Sequence, residues 1–138
     1  MTPGARVAAQ IDILEAILSG VPAEKALTNW ARGNRFAGSK DRAALRDLVF
    51  QALRCRRSAG AWPAPQSARA WAIGTLRANG EDPNEFFTGI AHAPAALCAD
   101  DVTPLPSDRD RLDLQDWVID LLTQQYGAEQ TAKIGAVL

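Results

Sequence analysis

Apolar residues recur at helical spacing along most of this chain, and the pattern predicts an all-α protein. Near the start, Val7, Ile11 and Leu14 lie three or four positions apart, which places their side chains on one face of a helix. Thr2-Pro3 is typical of a helix start and Gly20 of a helix end. No segment alternates apolar and polar residues with the two-residue period of a β-strand. The expected architecture is a helical bundle.

The same reasoning predicts about five to seven helices in total. The third is the clearest, because Leu45, Leu48, Val49 and Ala52 form one apolar stripe. We predict Ser39 as its capping residue, since a serine side chain can accept a hydrogen bond from a free backbone N–H. After the first helix, the predicted elements begin at Pro22, Ser39, Ser67, Asp113 and Ala128, with a short turn at Asp82.

A proline-rich strap, residues 89–112, separates two parts of the chain. We expect it to lie on the surface, and we divide the chain into a helical domain, 1–108, and further helices, 109–138. The helix from Asp113 to Gly127 is expected to bury one apolar face. The last helix reaches Leu138 without a capping residue, so we expect the natural chain to continue. The predicted apolar face consists of Leu114, Trp117, Val118, Leu121 and Leu122.

Composition is that of a folded domain outside the membrane. The chain has 138 residues, 47% of them hydrophobic, which is enough for one core. Its longest uncharged stretch, residues 86–99, is too short to span a bilayer. Asp12 and Glu15 interrupt what would be the apolar part of a signal peptide. Two cysteines do not make a disulfide framework, so a cytoplasmic protein with free thiols is expected.

Charge is distributed very unevenly along the chain. The formal net charge is −1, yet residues 1–80 carry +7 and residues 81–138 carry −8. Between Arg32 and Arg57 there are eight basic side chains and two acidic ones. This excess predicts a surface for a polyanion, with nucleic acid as the first candidate. The alternative interpretation is that the arginines merely keep the outer face of a helix solvated.

Helical geometry selects the candidate RNA contacts. At 100° per residue, Arg46, Arg54 and Arg57 share the sector opposite the apolar stripe. Phe50 shares that sector and could stack a base, but we interpret it as a packing residue. Arg56 falls near the apolar sector and is left out. The predicted phosphate contacts are Arg35, Lys40, Arg42, Arg46, Arg54 and Arg57, with Arg32 as an accessory.

No catalytic or metal-binding pattern is found in the sequence. His92 is the only histidine, and nothing near it has metal-ligand spacing. Cys55 and Cys98 have no neighbouring base, and there is no glycine-rich phosphate loop. We interpret Asp100-Asp101 as solvated loop charge. We therefore expect these residues alone to have no enzymatic activity, metal or cofactor.

The third predicted helix carries a family resemblance. Residues 38–54, GSKDRAALRDLVFQALR, are similar to the signature helix of the NusB-like N-terminal domain found in the Sun/RsmB family of ribosomal RNA cytosine-5 methyltransferases. Residues 21–27, VPAEKAL, also fit, as do Trp117-Val118 and Tyr126-Gly127 in the region 113–127. That family usually has a proline before the tryptophan, where this chain has Gln115-Asp116.

The resemblance implies a NusB-like helical bundle that binds small-subunit ribosomal RNA in the bacterial cytoplasm. It also implies a partner, a methyltransferase domain that follows Leu138 in the same chain and uses S-adenosylmethionine. The catalytic cysteines of the family follow proline or threonine, whereas Cys55 follows Arg54 and Cys98 follows Leu97. No catalytic role therefore transfers. Two alternatives remain: a free-standing transcription antitermination factor of the NusB type, and a docking domain that does not bind RNA.

Overall fold

The chain folds as an all-α bundle, which confirms the predicted fold class. In a computed structural model that describes residues 1–101 and 105–137, there are five α-helices and no strand among the described residues. Two short 3-10 helices, Pro83–Glu85 and Asp110–Leu112, complete the elements. None of these helices is long and apolar enough to cross a membrane. The α-helices are α1 (Pro3–Leu18), α2 (Ala23–Gly33), α3 (Ser39–Arg54), α4 (Ala68–Ala78) and α5 (Asp116–Val137).

Helix α1 lies at the centre of the bundle and contacts α2, α3 and α4. Its start is fixed as the sequence predicts, because the Thr2 hydroxyl accepts a hydrogen bond from the Ala5 N–H at 3.1 Å. Ile13 and Leu14 are fully buried. The buried Gln10 side chain donates to the Leu48 carbonyl at 2.9 Å, so its polar group is satisfied inside the core. These contacts orient α3 against the bundle.

Helix α4 packs closely against α3 and against the turn that follows α3. The indole N–H of Trp71 on α4 donates to the Ala52 carbonyl on α3 at 2.9 Å. A Cβ atom at Gly74 would lie 1.8 Å from the Ala59 carbonyl oxygen, so only glycine allows this contact. Because α3 buries Leu45, Val49 and Ala52 within the bundle, its basic side chains are left on the outside. Gly38, rather than the predicted Ser39, occupies the capping position of α3.

The described part of the strap is attached to α4 by one ion pair. Arg69 donates to both carboxylate oxygens of Asp101 at 2.8 Å, and it also donates to the Ala95 carbonyl at 2.9 Å. Asp101 accepts from the Cys98 N–H as well, at 2.9 Å. The Arg69 guanidinium and the Cys98 N–H hold the pKa of Asp101 well below the usual range of a carboxyl. Ionised Asp101 therefore stabilises the folded strap.

Replacing Asp101 with asparagine should therefore weaken the strap and reduce its sensitivity to acid. A carboxyl with a lowered folded-state pKa stabilises fully above its unfolded-state pKa of about 3.9, and the contribution is lost as the pH falls below that value. We expect Asp101→Asn to be less stable than wild type at pH 7 and to lose less stability between pH 5 and pH 2, measured by urea unfolding. Asp100→Asn, at an exposed neighbour, is the control. Identical pH profiles for the wild type and Asp101→Asn would contradict the contact.

Helix α5 differs from its prediction at its start and in its buried face. It begins at Asp116 instead of Asp113, because Asp113 has a positive φ of 52° and its carboxylate accepts hydrogen bonds from the Ser58 N–H and hydroxyl. Ile119 is the buried apolar residue, whereas Trp117 is 65% exposed. Gly127 has non-helical angles within α5, which confirms the predicted stop. The division at residues 108 and 109 stays a prediction.

Candidate nucleic-acid interface

Basic side chains without any partner occur in one part of the structure. Of the basic residues that the structure describes, six make no ion pair, hydrogen bond or ring contact with other described residues. All six lie on α2, on α3 or in the connection between them, and all are exposed. They are Lys25, Arg32, Arg35, Lys40, Arg42 and Arg54.

Other arginines are engaged by carboxylates. Arg6 on α1 binds Asp41 at 2.8 Å, and this hydrogen bond is the main cause of a lowered pKa at Asp41. Arg109 reaches Asp116 at 2.9 Å and Asp120 at 2.7 Å. Arg6 and Arg109 therefore stabilise contacts within the chain. Unpartnered cations, by comparison, are found among the described residues only on α2, on α3 and in the connection between them.

Four of the unpartnered cations surround the junction of α2 and α3, and we call them the junction cations. Arg32 lies in the last turn of α2, Arg35 lies in the connection, and Lys40 and Arg42 lie in the first turn and a half of α3. The connection is held in place because Asn34 donates to the Trp30 carbonyl at 2.9 Å and Ala37 is buried. The backbone therefore presents these charges from an ordered position.

Arg54 and Lys25 lie apart from the junction cations. Arg54 is fourteen residues beyond Lys40 on α3, so the two are about 21 Å apart along the helix axis. Lys25 lies on α2, about 20° in helical angle from Arg32, and both are about 100–120° from the buried Ala26. Lys25 is not among the predicted contacts, because it precedes the basic segment that begins at Arg32 in the sequence. The sequence does indicate its position, because Lys25 is seven residues, or two helical turns, before Arg32, and this spacing places the two side chains on the same side of a helix.

Arg46 is exposed but paired. Its guanidinium binds both carboxylate oxygens of Glu24 on α2, and it lies 5.1 Å from the ring centroid of Phe50. The ion pair lowers the pKa of Glu24 and raises that of Arg46. Phe50 is half-buried and therefore presents less of its ring than the stacking alternative would need. An exposed pair of this kind is weak, so a phosphate could replace Glu24 as the partner of Arg46.

Arg57 must be removed from the predicted contacts. Its side chain is only 8% exposed and binds Asp110 at 3.1 Å and Asp116 at 2.9 Å. It also donates to the Leu114 carbonyl at 2.7 Å. A buried guanidinium with two carboxylate partners has neither the access nor the free charge for a phosphate. Arg57 instead connects the end of α3 to the start of α5.

Thiols and histidine do not form a second site among the described residues. Burial raises the pKa of the Cys55 thiol, which disfavours a reactive thiolate. His92 is exposed in a turn with a positive φ of 67°. In residues 1–101 and 105–137 no group of three or more histidine, cysteine, aspartate or glutamate side chains is arranged to hold a metal ion.

Comparison with known proteins identifies no relative. No family model, curated protein or solved structure matches the chain. The candidate interface is therefore defined by the geometry of this chain.

Proposed function

We propose that this chain is an RNA-binding helical module whose junction cations hold the phosphates of an RNA strand. The observation that carries the proposal is the restriction of unpartnered exposed cations to α2, α3 and their connection. Several like charges left unpaired on neighbouring helices create a positive potential at the surface, which attracts a polyanion. Phosphate contacts supply affinity and orientation, so we expect weak sequence preference from this module.

The resemblance of residues 38–54 to the Sun/RsmB signature supports a finer proposal. The module would position small-subunit ribosomal RNA for a methyltransferase domain in the same chain, and S-adenosylmethionine would be the cofactor of that domain rather than of these residues. Two of the four junction cations, Lys40 and Arg42, lie inside the segment that carries the resemblance. The resemblance and the unpartnered charges therefore support the same surface of α3.

Neutralising Arg35 and Arg42 together tests the proposed interface. The Arg35→Ala, Arg42→Ala variant should bind a single-stranded RNA oligonucleotide at least about tenfold more weakly, because two charge-assisted phosphate contacts are lost. The slope of log affinity against log salt should become shallower by about 1.4. Fluorescence anisotropy measures both quantities.

The matched control is Arg111→Ala, Lys133→Ala, which removes the same charge at exposed positions outside α2 and α3. It should change the affinity much less than the junction variant does. Equal losses in the two double variants would mean that only net charge matters, and they would remove the proposed interface. Circular dichroism of both variants confirms that the helices are intact.

A docking domain is the second candidate function, and the apolar surface of α5 favours it. Trp117 and Leu121 are 65% and 49% exposed and lie about 40° apart around the helix axis, so they form one small apolar patch. Exposed apolar patches are typical of protein contact surfaces. This function would give negligible RNA affinity even at low salt, and Trp117→Ala would weaken association with the methyltransferase domain.

A further inference from the structure

An apolar groove opens beside Arg35, one of the junction cations. It has a volume of about 740 Å³ and lies between α1, the connection after α2 and the turn at Ala91 and His92. Ala5 and Ala9 form part of its α1 side, and Trp30 and Phe36 form part of the other. Grooves of this size are typical of sites for small organic groups.

Two aromatic rings give the groove a stacking surface. The rings of Trp30 and Phe36 meet edge to face, with centroids 6.3 Å apart and an interplanar angle of 74°. Phe36 is 73% exposed, which is unusual for a ring held against another ring. The indole N–H of Trp30 has no hydrogen-bond partner among the described residues. The exposed ring of Phe36 therefore gives the groove a surface on which a flat ligand can stack.

The distribution of charge separates the inside of the groove from its rim. Asp12 lines the groove, and partial burial raises its pKa, so a phosphate inside would meet a carboxylate. At the rim, Arg35 lies between Asn34 and Phe36, which both line the groove. Arg32 is set about 200° around α2 from the groove-lining Trp30, so it faces away from the groove. A ligand that suits this arrangement is flat and uncharged inside the groove and anionic outside it.

We propose that this groove holds an unpaired nucleobase of a single-stranded RNA, stacked on Phe36, while Arg35 holds a flanking phosphate. The inference rests on the proposed RNA-binding function and adds the form of RNA that is recognised. Proteins usually recognise single-stranded RNA by stacking its unpaired bases on aromatic side chains. A base-paired duplex could not place a base in the groove without opening.

The test compares two oligomers of equal length, one with bases and one abasic. Phe36→Ala should weaken binding of the base-bearing oligomer about fivefold or more, because one stacking contact is lost. It should leave binding of the abasic oligomer unchanged. Phe36→Tyr should keep most of the affinity, since a flat ring remains. Trp117→Ala removes an equally exposed aromatic outside the groove and should change neither affinity.

The outcomes of these experiments distinguish failure of the proposed base site from failure of the proposed phosphate contacts. Equal affinity of wild type and Phe36→Ala for the base-bearing oligomer would overturn the base site, while loss of binding in Arg35→Ala would still support the phosphate contacts. If the wild-type protein binds neither oligomer, the proposed function and the base site both fail. A tryptophan fluorescence titration supplies a second readout, since the change on binding RNA should be smaller in Trp30→Phe. An equal change in that variant would count against the groove.

Discussion

Replacing Gly74 with alanine is expected to lower the free energy of unfolding by about 3 kcal/mol, because the new methyl group cannot be accommodated. The added Cβ would lie 1.8 Å from the Ala59 carbonyl oxygen and 2.7 Å from its carbonyl carbon. Both are backbone atoms, so a rotamer change cannot relieve the overlap. Helix α4 must then move away from the segment after α3, which would separate Trp71 from the Ala52 carbonyl.

Urea unfolding followed by circular dichroism gives this value directly. Helix propensity alone would make the glycine-to-alanine change stabilising by about 1 kcal/mol. The sign of the measured change therefore shows whether helix propensity or the overlap with the Ala59 backbone dominates. Gly33→Ala is the matched control, because nothing lies within 4 Å of a Cβ atom at Gly33. A Gly74→Ala protein as stable as wild type would contradict the close packing of α4.

Removing the Arg57 guanidinium is expected to destabilise the protein by about 2 kcal/mol without weakening RNA binding. Breaking a fully buried ion pair costs roughly 3–5 kcal/mol, and the cost here is lower because the carboxylates that remain retain contact with water. The Asp110 and Asp116 side chains are 32% and 59% exposed. We expect the start of α5 to lose its attachment to α3, since Arg57 also holds the Leu114 carbonyl.

Hydrogen exchange locates the effect of Arg57→Ala, while anisotropy measures RNA affinity under conditions where the variant is folded. Protection should fall in the first turns of α5 and remain in α1. Arg46→Ala removes an exposed pair instead and should change stability little. If Arg57→Ala keeps full stability and loses RNA affinity, Arg57 contacts RNA and the structural role assigned to it is wrong.

Local sequence signals predicted the helices well where the cause of the structure is itself local. Thr2 and Ser67 accept backbone hydrogen bonds at the starts of α1 and α4, as capping residues do. Gly127 interrupts α5 with a positive φ. The start of α5 could not be predicted in this way, because Asp113 is held by Ser58, a residue 55 positions earlier.

The candidate interface could be predicted in outline but not in detail, because local sequence signals do not show contacts between residues that are distant in sequence. Counting charges in a window finds the basic segment, but it cannot show which charges are neutralised by residues outside the window. Glu24 pairs with Arg46 from another helix, and Arg57 is paired by Asp110 in the strap and by Asp116 in α5. Such contacts can be identified only from the folded structure. Within the basic segment from Arg32 to Arg57, they distinguish the arginines that are paired with carboxylates from those that are free.

The salt dependence of wild-type binding to a single-stranded RNA oligonucleotide tests the central claim most directly. If the four junction cations each contact a phosphate, log affinity should fall linearly with log salt concentration with a slope of about −3. Binding that is absent at low salt, or that does not change as salt is added, would contradict the claim that these unpaired charges hold an RNA backbone.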